Sequence, residues 1–180
     1  MKRTLFFFII SILSFSSFAQ TNKTNEEGVK RIQHEIDSTF HSINFFPLSE
    51  VEHLLGKKAI LKDSTLKVSN SLMRYALDYV AVYKDSTSKG RIFFSYEQYK
   101  DMEVSKDVFK SALAENQSNP FYESLSDFGN EGFQVKDNLG YPFIIVRKGN
   151  RIFRFKLYYL SSIDSQREFK NSARRIVTNH

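Results

Sequence analysis

The segment from Tyr141 to Tyr159 constrains the fold more than any other part of the chain. Two apolar runs flank Gly149-Asn150, and glycine at the first central position of a two-residue turn is typical of a β-hairpin. This turn sets Lys148 opposite Arg151 and so determines the register of the whole hairpin. One face then carries only apolar side chains, from Pro142, Ile144, Val146, Phe153, Phe155 and Leu157. We therefore predict an antiparallel strand pair with this face in the core.

The other face of the hairpin mixes charged and apolar side chains. Its predicted cross-strand pairs are Arg147 with Ile152, Ile145 with Arg154, Phe143 with Lys156, and Tyr141 with Tyr158. Long basic side chains cover apolar surface with their stems and keep their charge in water. We expect a helix to cover part of this face and to leave the arginine and lysine heads in solvent.

The remaining periodicity predicts three more strands and four helices. Alternation indicates strands at 71–84, Arg91–Tyr99 and Phe133–Lys136, and steps of three and four indicate the helices. The first helix has an apolar stripe of Val29, Ile32, Ile36, Phe40 and Ile43. The second begins with a Ser49/Glu52 capping box and ends at Gly56, the third covers Ser105–Asn116, and Asp164 caps the last. The predicted fold class is α+β, an antiparallel β-sheet of about five strands flanked by helices.

The N-terminus has the features of a signal peptide. Lys2 and Arg3 precede an apolar run, and Ser17-Phe18-Ala19 places small residues at the two positions that signal peptidase recognises. We expect residues 1–19 to be removed, residues 20–46 to form an N-terminal segment with one helix, and residues 47–180 to form a single α+β domain. The predicted location is the periplasm or the exterior, with no integral membrane segment after cleavage.

Composition excludes several functions. The chain has no cysteine, which rules out thiol nucleophiles, cysteine-ligated zinc and a lipoprotein anchor. Without Lys2 and Arg3 it has 24 basic and 20 acidic residues, a mild excess that argues against a nucleic-acid partner.

Three short segments resemble small exported PsbP-like domains, many of them uncharacterised bacterial proteins. They are "LSEVEHLLG", "DFGNEGF" and "VRKGNRIFRFKL", in that order before a terminal helix. The resemblance covers roughly residues 47–177 as a succession of elements. It implies an α/β/α sandwich that serves as a binding or assembly module, without catalytic residues.

The candidate binding residues lie on the mixed face of the hairpin. Arg154, Lys156 and Tyr158, with Arg147 and Arg74 nearby, would form a basic and aromatic patch for a small anionic ligand or a protein partner. The alternative is ordinary charge scattered over a strand surface.

Metal and catalytic sites receive less support from the residues. One candidate metal set lies on a single helix face, which we interpret as a solvated surface: His34, Asp37 and His41. A second set has the residue types that form turns: Asp127, Asn130, Glu131 and Asp137. We expect no metal and no cofactor. The chain has no GxSxG, GxxxxGK or GxGxxG motif. The sequence favours a non-catalytic binding or assembly module of the cell envelope, with an envelope hydrolase that uses an unrecognised carboxylate pair as the alternative.

Overall fold

The structure is a computed structural model, and it describes residues 45–82, 90–158 and 163–180. The chain divides into two compact units, Met1–Asn44 and Phe45–His180, and all the described residues belong to the second. The predicted signal peptide, the first predicted helix and the His34, Asp37 and His41 set therefore lie outside the described residues. Among the described residues, no helix is long and apolar enough to cross a membrane.

The second unit is built on one antiparallel sheet, which confirms the predicted α+β class. Its seven strands lie in the order β1-β2-β3-β7-β6-β5-β4. In chain order they are β1 (Ala59–Val68), β2 (Leu72–Ala81), β3 (Arg91–Tyr99), β4 (Glu123–Ser124), β5 (Glu131–Lys136), β6 (Pro142–Lys148) and β7 (Arg151–Tyr158).

The prediction of about five strands was wrong because β1 and β4 were missed. Strand β1 is the first strand in the sheet order, and most of its side chains are exposed. Its Lys-Asp-Ser-Thr centre therefore lacks the apolar alternation by which a half-buried strand is recognised. Strand β4 has only two residues, both exposed, which is too short for any periodicity.

The hairpin register predicted from the turn is confirmed. Lys148 pairs with Arg151, and the pairing continues from Arg147 with Ile152 to Phe143 with Lys156. Gly149 has a φ of 61°, a left-handed conformation that glycine adopts without strain. The turn chemistry thus brings the two strands into the register in which the apolar side chains share one face.

Three helices pack against the sheet: α1 (Leu48–Leu55), α2 (Met102–Asn116) and α3 (Ile163–Asn179). Helix α1 ends at Gly56 as predicted, but the Ser49/Glu52 capping box is absent. Pro47 is the N-cap, and the Glu52 carboxylate accepts a hydrogen bond from the backbone N–H of Ala59, 3.2 Å away. The side chain that would have capped α1 instead joins its end to β1.

Helix α2 begins three residues before the predicted Ser105, because Asp101 is its N-cap. The Asp101 carboxylate accepts a hydrogen bond from the backbone N–H of Glu103 at 2.8 Å. At the end of β6, Lys148 donates hydrogen bonds to the carbonyls of Val177 and Thr178. A lysine in this position provides hydrogen bonds to the last carbonyls of α3, and its charge interacts favourably with the negative end of the helix dipole.

One face of the sheet, here called the aromatic face, carries Tyr79, Phe94 and Phe155. The ring of Phe46 lies against all three, and the Tyr79 hydroxyl donates a hydrogen bond to the Phe46 carbonyl. The rings of Phe45 and His180 pack against each other at a tilt beside this cluster, which brings the end of the chain after α3 onto the same face. Burying this much apolar surface makes the aromatic face the main core.

The opposite face, here called the charged face, carries Arg74, Glu97, Arg154 and Lys156. Helix α2 contacts β3, β6 and β7. Its Phe109 packs into a second apolar cluster on the charged face, formed by Tyr99, Phe133, Val135, Ile145 and Ile152. Helix α2 covers part of this face, as expected. The basic side chains are not left in solvent, because Arg147, Arg154 and Lys156 are largely buried in ion pairs.

Candidate ligand-binding groove

Glu97 is the centre of the charged face. Strand pairing sets it opposite Arg74 on β2, and Ser95, one position along the same face, lies opposite Arg154 on β7. The guanidinium groups of Arg74 and Arg154 both form ion pairs with the Glu97 carboxylate. The Tyr99 hydroxyl donates a hydrogen bond to the same carboxylate, at 2.8 Å. Three donors from three strands therefore converge on one carboxylate.

Burial makes this cluster energetically significant. Glu97 is 1% exposed. Burial alone would raise the pKa of Glu97, but the hydrogen bonds and charges of Arg154, Tyr99 and Arg74 together hold that pKa below its ordinary 4.5. Burial and the adjacent carboxylate also raise the pKa of Tyr99 to about 12. Glu97 is thus ionised and the Tyr99 hydroxyl stays protonated at neutral pH.

A groove of about 420 Å³ lies beside this cluster, between α2 and Arg154. Its α2 wall has residues at steps of three and four, which lie on one side of a helix. The wall is formed by Val104, Asp107, Val108, Ser111, Ala112 and Glu115. A smaller hollow of about 220 Å³ lies beyond Arg74, against Lys67, Val68, Ser69 and Leu72.

The Arg154 side chain lines the groove and keeps hydrogen-bond donors that Glu97 does not use. Its Nη1 is bound to Glu97, whereas its Nε and Nη2 have no hydrogen-bond partner within the described part of the chain. These two nitrogens form the side of the guanidinium that binds a carboxylate with two parallel hydrogen bonds. Arg91 shows that geometry on the same sheet, because its Nε and Nη2 bind the two oxygens of Asp78 at 2.6 and 2.8 Å.

The sequence-predicted site residues do not form one exposed patch. Arg147 is only 6% exposed, with its Nε bound to Glu131 and its Nη1 bound to the carbonyl of Gly149 at 2.9 Å. We correct the prediction on this point: Arg147 braces the β6–β7 turn and is not available to a ligand. Its strand position was predicted, but the Glu131 partner on β5 that draws it inward was not.

Lys156 and Tyr158 lie together, in a cluster separate from the groove lining. The Lys156 ammonium forms an ion pair with Asp137 at 2.9 Å and lies 4.9 Å from the centre of the Tyr158 ring. The Arg91 guanidinium lies 5.4 Å from the same ring. Of the four predicted site residues, Arg154 is the one that lines the groove.

The acidic loop after β4 forms turn and ion-pair contacts. Asp127 pairs with Arg174 at 2.7 Å, and Asn130 accepts a hydrogen bond from the backbone N–H of Gly149 at 2.6 Å. Asp137, in the turn after β5, accepts hydrogen bonds from the backbone N–H groups of Leu139 and Tyr141. No group of three or more His, Cys, Asp or Glu side chains in residues 45–82, 90–158 and 163–180 is placed to hold a metal.

Sequence reasoning missed Glu97, Asp107 and Glu115. The helical spacing from Val104 to Glu115 was a usable signal for the α2 wall, but no local pattern indicates which side of α2 borders Arg154. No family model, no curated protein and no solved structure shows a significant match to this chain.

Proposed function

We propose that this protein is an exported, non-catalytic binding module of the cell envelope, and that its ligand occupies the groove between α2 and Arg154. We also infer a PsbP-like topology for the domain. Support for that topology comes from the layers: α1 and α3 lie against the aromatic face of an antiparallel sheet, and α2 lies against the charged face.

The proposal rests on the way Glu97 holds Arg154. A buried carboxylate bound by two guanidinium groups and a tyrosine hydroxyl restrains the Arg154 side chain before a ligand arrives. A restrained donor loses little conformational entropy when it binds, so it contributes more to affinity than a mobile surface arginine. The volume of the groove also falls within the range of small-molecule and peptide sites.

Two carboxylates of the charged face are unsuited to general-acid catalysis. A general acid at neutral pH needs a raised pKa, as in glycosidases that use a carboxyl pair. Of the carboxyl groups near the charged face, Glu97 and Asp137 both have a pKa lowered by bound cations and backbone or hydroxyl donors. These two carboxylates are engaged in structural contacts.

Export is proposed from the signal-peptide features alone, and processing tests it. Expression of the full-length chain in a bacterium should give a periplasmic or extracellular product that starts at Gln20. Ala19→Arg should retain residues 1–19, because the peptidase requires a small residue before the cleaved bond. Mass spectrometry of the product shows whether residues 1–19 have been removed. Asn22→Arg, beyond the cleaved bond, is the control, and an unprocessed wild-type chain would contradict export.

The groove itself is tested by photo-crosslinking in cells that express the full-length chain. A benzophenone amino acid at Ser111 lies in the groove wall, and one at exposed Ala114 lies on the same helix outside it. We expect an adduct of defined mass at position 111, about tenfold more abundant than at position 114, if ligand affinity is at least micromolar. Equal labelling at both positions would contradict a groove site.

A further inference from the structure

We propose that the groove binds a short extended peptide that is zwitterionic, with a carboxylate at Arg154 and a cationic group at Asp107 or Glu115. This inference rests on the proposed binding function and specifies its ligand. It narrows the small anionic ligand expected from sequence to a ligand that carries both charges.

The charges of the groove lining determine the ligand class. Arg154 supplies one cation, and its Nε and Nη2 have no hydrogen-bond partner among residues 45–82, 90–158 and 163–180. Asp107 and Glu115 supply two carboxylates, and neither forms an ion pair with another described residue. A purely anionic ligand would meet repulsion from two carboxylates for one attraction to Arg154. A ligand with separated positive and negative groups satisfies both sides of the groove.

The length of the groove favours an extended peptide. The wall runs along α2 from Val104 to Glu115, which at 1.5 Å per residue is about 16 Å. An extended chain rises about 3.3 Å per residue, so about five residues span the wall. Asp107 and Glu115 are about 12 Å apart along the same helix, so they offer the cationic group two separate positions along the wall.

The apolar part of the wall sets the size of the side chains between those charges. Val104 is exposed, and Val108 and Ala112 are partly buried where α2 packs on the sheet. These short side chains give contact without deep subsites. Small apolar residues, such as alanine, therefore suit the middle of the peptide.

The test uses four peptides and nuclear magnetic resonance of the purified protein expressed from the full-length chain. The parent probe is a pentapeptide of one N-terminal lysine and four alanines with a free carboxyl end. The second is its C-terminal amide, the third replaces lysine with alanine and acetylates the amino end, and the fourth carries both changes. The signals observed are Arg154 Nε–H and the backbone N–H groups of Asp107, Ser111 and Glu115.

We expect the parent peptide to shift these signals saturably. Removing either charged end should weaken binding about tenfold, since a charge-assisted contact is worth roughly one such factor. Asp107→Asn combined with Glu115→Gln should weaken the parent peptide about tenfold and leave the lysine-free peptide unchanged. Glu103→Gln, on the same helix outside the groove, is the matched control.

Two results would overturn the inference. Equal binding of all four peptides would mean that the affinity of the groove does not depend on the charges of the peptide. No shift at millimolar concentrations of any peptide would exclude this ligand class. Crosslinking at position 111 distinguishes either failure from a failure of the proposed function, since an adduct there requires a groove ligand of any chemistry.

Discussion

Glu97→Gln is expected to lower the free energy of unfolding by about 3 kcal/mol, because it removes the charge that holds two arginines together. The carboxylate is buried and contacts Arg74, Arg154 and Tyr99. Without it, the positive charges of the two guanidinium groups are uncompensated. Arg74 is 49% exposed and Arg154 21% exposed, so partial hydration keeps the loss below the largest values for buried pairs.

Urea unfolding measures this loss, and its pH dependence identifies the cause. The pKa of Glu97 is lower in the folded protein than its ordinary 4.5, so its stabilisation is complete above that pH. The stabilisation is lost as pH falls through the folded pKa, and the gap between wild type and Glu97→Gln should narrow there. Glu103→Gln breaks an exposed pair with Lys106 and should change stability by less than about 0.5 kcal/mol. A loss equal to that of the control would contradict the central role of Glu97.

Gly129→Ala is expected to cost about 3 kcal/mol, by overpacking and backbone strain together. Gly129 has a φ of 60°, and an added Cβ would lie 2.6 Å from the carbonyl oxygen of Arg147. Backbone cannot move aside as a flexible side chain can, so the loop must shift away from β6. Thermal or urea unfolding measures the effect.

Gly149→Ala is the matched control for this substitution. Its φ of 61° gives the same backbone strain, but a Cβ there meets nothing within 4 Å. It should cost only about 1 kcal/mol, the penalty for a left-handed alanine. Equal losses at the two glycines would show that strain alone, and not close packing on β6, requires Gly129.

The Gly129 loop also bears on the groove. Asn130, the residue after Gly129, accepts a hydrogen bond from the backbone N–H of Gly149. The Ser105 hydroxyl of α2 donates a hydrogen bond to the Gly149 carbonyl at 3.1 Å. The β6–β7 turn therefore connects the loop to the first turns of α2. A shift of the loop away from β6 would pass to the helix that forms the groove wall.

The hairpin shows how far sequence alone predicts this protein. Its turn is local, so Gly149-Asn150 was enough to obtain every pair from Lys148 with Arg151 to Phe143 with Lys156. Strand β1 was missed because its mostly exposed side chains have no apolar alternation. Local patterns predict elements whose burial repeats regularly, and they fail at a sheet edge.

The groove could not be predicted for a different reason. Glu97 lies in a strand of aromatic residues, and it is buried because distant Arg74 and Arg154 neutralise it. Those contacts depend on the order β2-β3-β7, which no single segment encodes. Arg154 was singled out correctly as a residue of the charged face, whereas the α2 residues beside it became visible only when the helix was placed on the sheet.

We expect Arg154, held by Glu97, to bind the ligand of the groove. Crosslinking at position 111 in the Arg154→Lys variant tests this expectation most directly. Lysine keeps the charge but lacks the paired Nε and Nη2 donors. Our account predicts that the adduct falls about tenfold in Arg154→Lys and persists in Arg91→Lys, which removes the same donor pair from Asp78 outside the groove. An adduct unchanged by Arg154→Lys would contradict it.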